Sequence, residues 1–154
     1  MALSDSDKIR LIEDHYRSFW EGDLQDFDHQ LSPDFVDTGA APGLPGGVEG
    51  ARAWARTCRR ASPDMRVVVT DALVAGDVVA VRAAWRGTQA QIDQLLNGPP
   101  TGDQIELARI VVWELDERGR IVRRTGFGEG PTALVEATDR GARPSPPART
   151  RQGR

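Results

Sequence analysis

Cys58 is the only cysteine in the sequence, so no intrachain disulfide can form and no cysteine-based zinc cluster can be built. The two histidines, His15 and His29, both fall in the N-terminal third and flank apolar positions on what reads as the polar side of two helices. With no histidine in any strand-like segment, neither a metal site nor a nucleophilic triad finds support. No apolar run approaches the roughly 18 residues that a membrane helix needs. The opening "MALSDSDKIR" has no basic segment followed by an apolar stretch, so a cytoplasmic, membrane-free protein is expected. Neither "GTQAQ" nor "GPPTG" has the lysine and spacing of a phosphate loop, which speaks against a nucleotide site.

Charge is present but unevenly placed. The chain carries −3 overall. Its last stretch, "DRGARPSPPARTRQGR", holds five arginines against one aspartate, which leaves −7 on residues 1–138. An acidic body argues against nucleic-acid binding by the folded part. The basic, proline-containing end has almost nothing apolar to bury. It is expected to be a disordered tail, residues 139–154, following one folded domain, residues 1–138.

Within that domain the texture changes once. Residues 5–21 show an apolar stripe at Ile9, Ile12, Tyr16 and Phe19, with Ser4 or Asp5 available as a cap and Gly22 as a stop. Asp23 opens a short second helix with Leu24, Phe27 and Leu31 on one face, and Pro33 ends it. "FVD" is a short extended piece, "TGAAPGLPGG" a loop, and residues 48–61 a third helix with Ala51, Trp54, Ala55 and Cys58 aligned. From Met65 onward the pattern is strands. "MRVVVTDALV" and "VVAVRAAWRGTQAQ" form a hairpin around "AGD", "IDQLLNGPPTGD" connects, and "QIELARIVVWEL" turns through "DERG" into "GRIVRRTGFGEG". Residues 131–138 add a helical turn. Helices followed by a meander of long antiparallel strands predict an α+β fold. A long sheet with few helices covers one face only, and if it curves, the other face becomes a pocket.

Strand alternation places Ile121, Arg123, Thr125, Phe127 and Glu129 on one face, and Val122 and Arg124 on the other. Arg124 is therefore read as facing solvent or a dimer surface. In the preceding strand Arg109 shares a face with Ile105, Leu107, Val111, Trp113 and Leu115. A cation among five apolar neighbours needs a partner, because burying it alone is costly. Glu129, or an anionic or enolic ligand, would serve. A carboxylate in an apolar bowl is raised toward neutrality and suits proton transfer, and an arginine can hold an enolate oxygen. Glu129 as proton carrier with Arg109 as oxyanion holder is thus the candidate catalytic pair; the alternative is a structural salt bridge. Trp20, Trp54, Trp85 and Trp113 are rigid flat walls for a polycyclic ligand, or simply core. Tyr16 is a pocket hydrogen-bond donor or a half-buried helix residue. Asp37 faces the bowl or caps the following loop.

The ordered set "YRSFWEGDLQDFDHQLSPDFVDTG", "APGLPGGVEGARAW", "SPDMRVVVTDALVAGDVVAVR", "GPPTG" and "GRIVRRTGFGE" resembles the SnoaL-like polyketide cyclases. The resemblance covers about residues 8–130. It implies a cone-shaped α+β barrel of the nuclear-transport-factor-like superfamily, with helices on a strongly curved sheet and a bowl between them. A homodimer formed through the sheet and an aromatic polyketide substrate are implied in the same way, and Tyr16, Trp20, Asp37, Trp54, Trp85, Trp113 and Phe127 are the residues expected to meet that substrate. Enzymes of this family close a polyketide ring by an intramolecular aldol step without metal or organic cofactor, while relatives hydroxylate polyketides or only bind small molecules. Where the family has an aspartate closing the last strand, this chain has Glu129. Arg124 and Thr125 stand where a histidine and a tryptophan are common, and Thr38 stands where a histidine often follows "DFVD".

Overall fold

A computed structural model describes residues 2–88 and 104–126. The connection at 92–103, the end of the closing strand with Phe127 and Glu129, the turn at 131–138 and the tail at 139–154 lie outside the described residues.

Helix α1 spans Asp5–Trp20. Its start is a reciprocal cap: Asp7 N–H donates to Ser4 Oγ at 3.1 Å, and Ser4 N–H donates back to Asp7 Oδ2 at 3.3 Å. A 3₁₀ turn at Leu24–Asp26 leads into a one-turn helix α2, Phe27–Gln30. Strand β1 then runs Leu31–Asp37. The sequence reading gave Leu31 to the helix and let Pro33 end it, whereas the chain is already extended at Leu31. Proline is tolerated there because β1 is an edge strand that pairs on one side only, in parallel with the last described strand.

Helix α3 covers Gly47–Ala61, and its Ala51, Trp54, Ala55 and Cys58 are buried as the periodicity predicts. Strands β2 (Arg66–Ala75), β3 (Val78–Thr88), β4 (Gln104–Leu115) and β5 (Ile121–Gly126) follow, hairpin by hairpin. The sheet order is β1-β5-β4-β3-β2, antiparallel except for the β1–β5 edge. This is the expected α+β architecture, three helices on a five-stranded mixed sheet. Among the described residues β1 and β2 do not pair, so the sheet is open rather than closed into a ring.

One face of the sheet carries the core. Val79, Val81, Ala83, Val111, Trp113, Leu115 and Ile121 alternate inward and meet Ile12, Phe27, Leu31 and Phe35 from the helical side and β1. Alternation is interrupted in three places: between Val69 and Asp71 of β2, along β1, and between β4 and β5. Such irregularities bend a strand and change the phase of everything beyond them. In β5 the consequence is direct. Leu115 pairs with Ile121 but Glu114 pairs with Arg123, so Val122 is the extra residue. Past it Arg124, not Arg123, pairs with inward-facing Trp113.

Candidate functional site

The corrected phase of β5 brings two charges to the inner side. Asp37 closes β1 and Arg124 lies opposite it in the parallel pairing. Arg124 Nη1 donates to Asp37 Oδ1 at 3.2 Å, with side chains 13% and 11% exposed. The guanidinium also lies over the Trp113 ring, its Cζ 5.4 Å from the centroid. Arg124 is therefore not a solvent-facing residue, as alternation alone had placed it; the bulge at Val122 turns it inward. Asp37 Oδ1 also accepts from Gly39 N–H at 2.8 Å, which shapes the loop, and Asp37 lines a cavity of about 300 Å³ between β1, its loop and α3. Thr38 fastens the same corner, with its N–H and hydroxyl both donating to Arg124 O at 3.1 Å.

Apolar side chains of Phe35, Leu44, Ala51 and Trp54 also line it, and among the described residues Asp37 is its charged side chain. The loop after β1 is held against α3 by close backbone approach. A Cβ on Gly50 would stand 1.7 Å from Pro45 O, so this position admits only glycine. Gly47 has a φ of +70°, and its absent Cβ would lie 2.5 Å from Pro33 O. Helix α3 is anchored elsewhere by two arginines. Arg52 pairs with Asp28 at 2.5 Å and with Glu49. Arg59 donates to the carbonyls of Phe19, Ser18 and Gly22, which satisfies the C-terminal end of α1.

The aromatic residues divide. Trp54 lines the cavity. Trp113 is 1% exposed at the centre of the core, and its Nε1–H has no hydrogen-bond partner among the described residues. Tyr16 is buried rather than half-buried, and its ring stands edge-on to Trp85 at 5.7 Å and to Trp113 at 5.3 Å. Trp85 is half-buried at the end of the inner face of β3. Trp20 packs on Phe19 at 5.1 Å at the end of α1, and it is not among the residues lining the cavity. Arg109 is half-buried on the same face of β4 as Val111 and Trp113. Phe127 and Glu129 fall outside the described residues.

His15 overturns its sequence reading. It is 3% exposed, not on the polar side of α1. Its ring is caged by Phe27 at 4.8 Å, Trp113 at 5.4 Å, Phe19 at 6.3 Å and Phe35 at 6.5 Å. Burial pushes its pKa down to about 4, against the bond from Gln30; Arg124 adds to the fall and Asp37 opposes it. His15 is thus neutral at physiological pH. A signal for it was present: Ile12, His15, Tyr16 and Phe19 are spaced i, i+3, i+4, i+7, so position 15 lies on the stripe itself. His29 is exposed, as expected. Cys58 is 4% exposed beneath the ion pair. Burial, then the Asp37 charge, raise its thiol pKa, Arg124 opposing, so it is inert as a nucleophile. Among the described residues no group of three or more histidine, cysteine or acidic side chains could hold a metal ion, and no helix is long and apolar enough to cross a membrane.

Comparison with known proteins agrees with this fold. No curated sequence matches the chain. Among solved structures, TsrD from Streptomyces laurentii superposes with a TM-score of 0.73 at 23% identity, over 90% of this chain and 96% of that one. Wild-type IdmH from Streptomyces antibioticus, a candidate polyketide cyclase, gives 0.61 at 27% identity over 85% and 97%. AclR from Streptomyces galilaeus, a candidate hydroxylase, gives 0.66 at 17% identity over 94% and 91%. The SnoaL-like domain family matches residues 12–124, most of the described fold, and the chain belongs to that family.

Proposed function

We propose that this protein is a polyketide-tailoring enzyme that closes a ring of an aromatic polyketide by an intramolecular aldol step, using its own side chains. The observation that carries the reading is a cavity of about 300 Å³ whose wall, among the described residues, holds one carboxylate, Asp37, tied to Arg124 above Trp113. Pockets of this kind suit a flat, largely apolar molecule oriented by a few polar contacts. In the proposed reaction Glu129 takes the proton beside one carbonyl. The resulting enolate carbon bonds to the carbon of a second carbonyl in the same molecule, and the new alkoxide takes the proton back. Arg109 holds the enolate oxygen, where a fixed cation lowers the cost of the developing charge. Trp54 supplies a flat wall of that cavity, and Asp37 with Arg124 orients the polar edge of the rings.

A second reading keeps the site and changes the partner of the enolate: oxygen instead of a carbonyl, giving a cofactor-independent hydroxylase. Its support is the likeness to AclR and the arginine at 124 where a histidine is common in cyclases. A panel of anthraquinone-type esters offered with and without air separates the readings. Ring closure without oxygen is expected; product that requires oxygen selects the hydroxylase; saturable tryptophan quenching with no product in either atmosphere leaves a binding protein. Glu129→Gln should lower turnover by about 10²–10⁴-fold with little change in ligand affinity. Normal turnover in that variant removes Glu129 from the reaction.

A further inference from the structure

A chain of hydrogen bonds fixes which nitrogen of His15 carries its proton. Ser18 Oγ donates to Asp26 Oδ2 at 3.0 Å. A carboxylate only accepts, so the single hydroxyl proton is committed there. Gln30 Nε2 lies 3.0 Å from Ser18 Oγ and must therefore be the donor in that contact. The orientation of the Gln30 amide follows, and its Oε1 faces His15 Nδ1 at 3.0 Å. An amide oxygen accepts, so Nδ1 bears the hydrogen. In a neutral imidazole the other nitrogen, Nε2, is then a bare acceptor.

Three side chains from three elements are thus spent on orienting one ring inside an aromatic cage, where a phenylalanine would fill the space without any polar requirement. Two further observations point to what the arrangement meets. Trp113, whose ring is 5.4 Å from that of His15, keeps a buried N–H with no acceptor among the described residues. Phe35 touches the cage and also lines the cavity beside Asp37. A hydroxyl group can donate one hydrogen bond and accept another, and so answers both an imidazole acceptor and an indole donor.

We propose that His15 is a substrate-recognition residue: its Nε2 accepts a hydrogen bond from a phenolic or enolic hydroxyl, so the ligands this pocket selects are hydroxylated aromatic ketones. The proposal rests on the polyketide reading above and narrows it. Two probes differ only in that group: 2-hydroxyanthraquinone, whose hydroxyl has no carbonyl neighbour to donate to, and its methyl ether, compared at pH 6, where the phenol keeps its proton. Long-range ¹H–¹⁵N spectra of the ligand-free protein should show His15 protonated at Nδ1, and the hydroxy probe should move the Nε2 resonance. By tryptophan quenching the methyl ether should bind about tenfold more weakly, the size of one neutral hydrogen bond. His15→Asn keeps an N–H near the place of Nδ1 and has nothing at that of Nε2, so it should bind the two probes alike. Protonation at Nε2 in the wild-type spectrum, or equal wild-type affinity for the two probes, overturns the inference and leaves the polyketide reading standing. Failure of both probes to bind while the Nδ1–H form is seen overturns the polyketide reading, and this inference with it. The spectral test needs no variant, so it holds even if His15→Asn folds poorly.

Discussion

Arg123 and Arg124 are adjacent in β5, and among the described residues each makes an ion pair, on opposite faces of the sheet. Arg123 pairs with Glu114 at 3.3 Å across the outer face, with side chains 52% and 44% exposed. Arg124 pairs with Asp37 at 3.2 Å on the inner face, where both are nearly enclosed and Trp113 lies beneath. The distances are almost equal and the consequences are not. Outside, water screens the attraction and already solvates either partner alone. Inside, each charge has given up most of its water, so removing one leaves the other stranded. The same two residue types make a surface ornament on one face and the polar corner of a cavity on the other.

The largest expected break in this comparison is Arg124→Met. It leaves Asp37 enclosed without its partner and should cost about 3–5 kcal/mol in urea unfolding. The double change with Asp37→Asn should recover part of that loss, and a cost no greater than that of Arg123→Met would show that the inner pair is not enclosed in solution.

His15 tests the same inner region through pH. Its folded pKa, about 4, lies below the ordinary 6.5, so the folded state binds its proton later than the unfolded chain. The stability it contributes is fully present above pH 6.5 and falls as pH drops toward 4, by on the order of 3 kcal/mol. In urea titrations at several pH values, His15→Gln should lose that component of the acid dependence. Parallel pH curves for the variant and wild type would contradict the burial of His15.

Gly50→Ala should cost about 1–3 kcal/mol, because its Cβ meets Pro45 O and the loop must move. Ligand affinity should fall with it, since Pro45 and Gly50 both line the cavity. The smallest effect belongs to the outer face: Arg123→Met should change stability by less than about 0.5 kcal/mol.

Much of the frame was legible in the sequence because it depends on periodicity. The apolar stripe of α1, the buried face of α3 and the inward row Val111, Trp113 and Leu115 of β4 follow from spacings of 3.6 and 2. The candidate site was less legible. Asp37 was readable as a bowl-or-loop residue because it ends an apolar pair before a glycine-rich segment. His15 was misread although it sits on the stripe, since a polar residue at such a position is ambiguous until its partner is known. That partner, Gln30, comes from a different helix, and nothing in the spacing of either residue announces the other. Arg124 was misplaced for a different reason: alternation assumes an unbroken strand, and one extra residue at Val122 exchanges the faces of Arg123 and Arg124.

By itself, then, the sequence determined the order of elements, the helix caps, the apolar faces and the acidic character of residues 1–138. These are local properties, set by neighbours within a turn or two of chain. Tertiary structure alone decided which arginine turns inward, that Asp37 receives it, and that a four-residue hydrogen-bond chain settles the proton on His15. Each of those outcomes depends on groups far apart in sequence meeting away from water, where the cost of an unpaired charge or donor selects the arrangement.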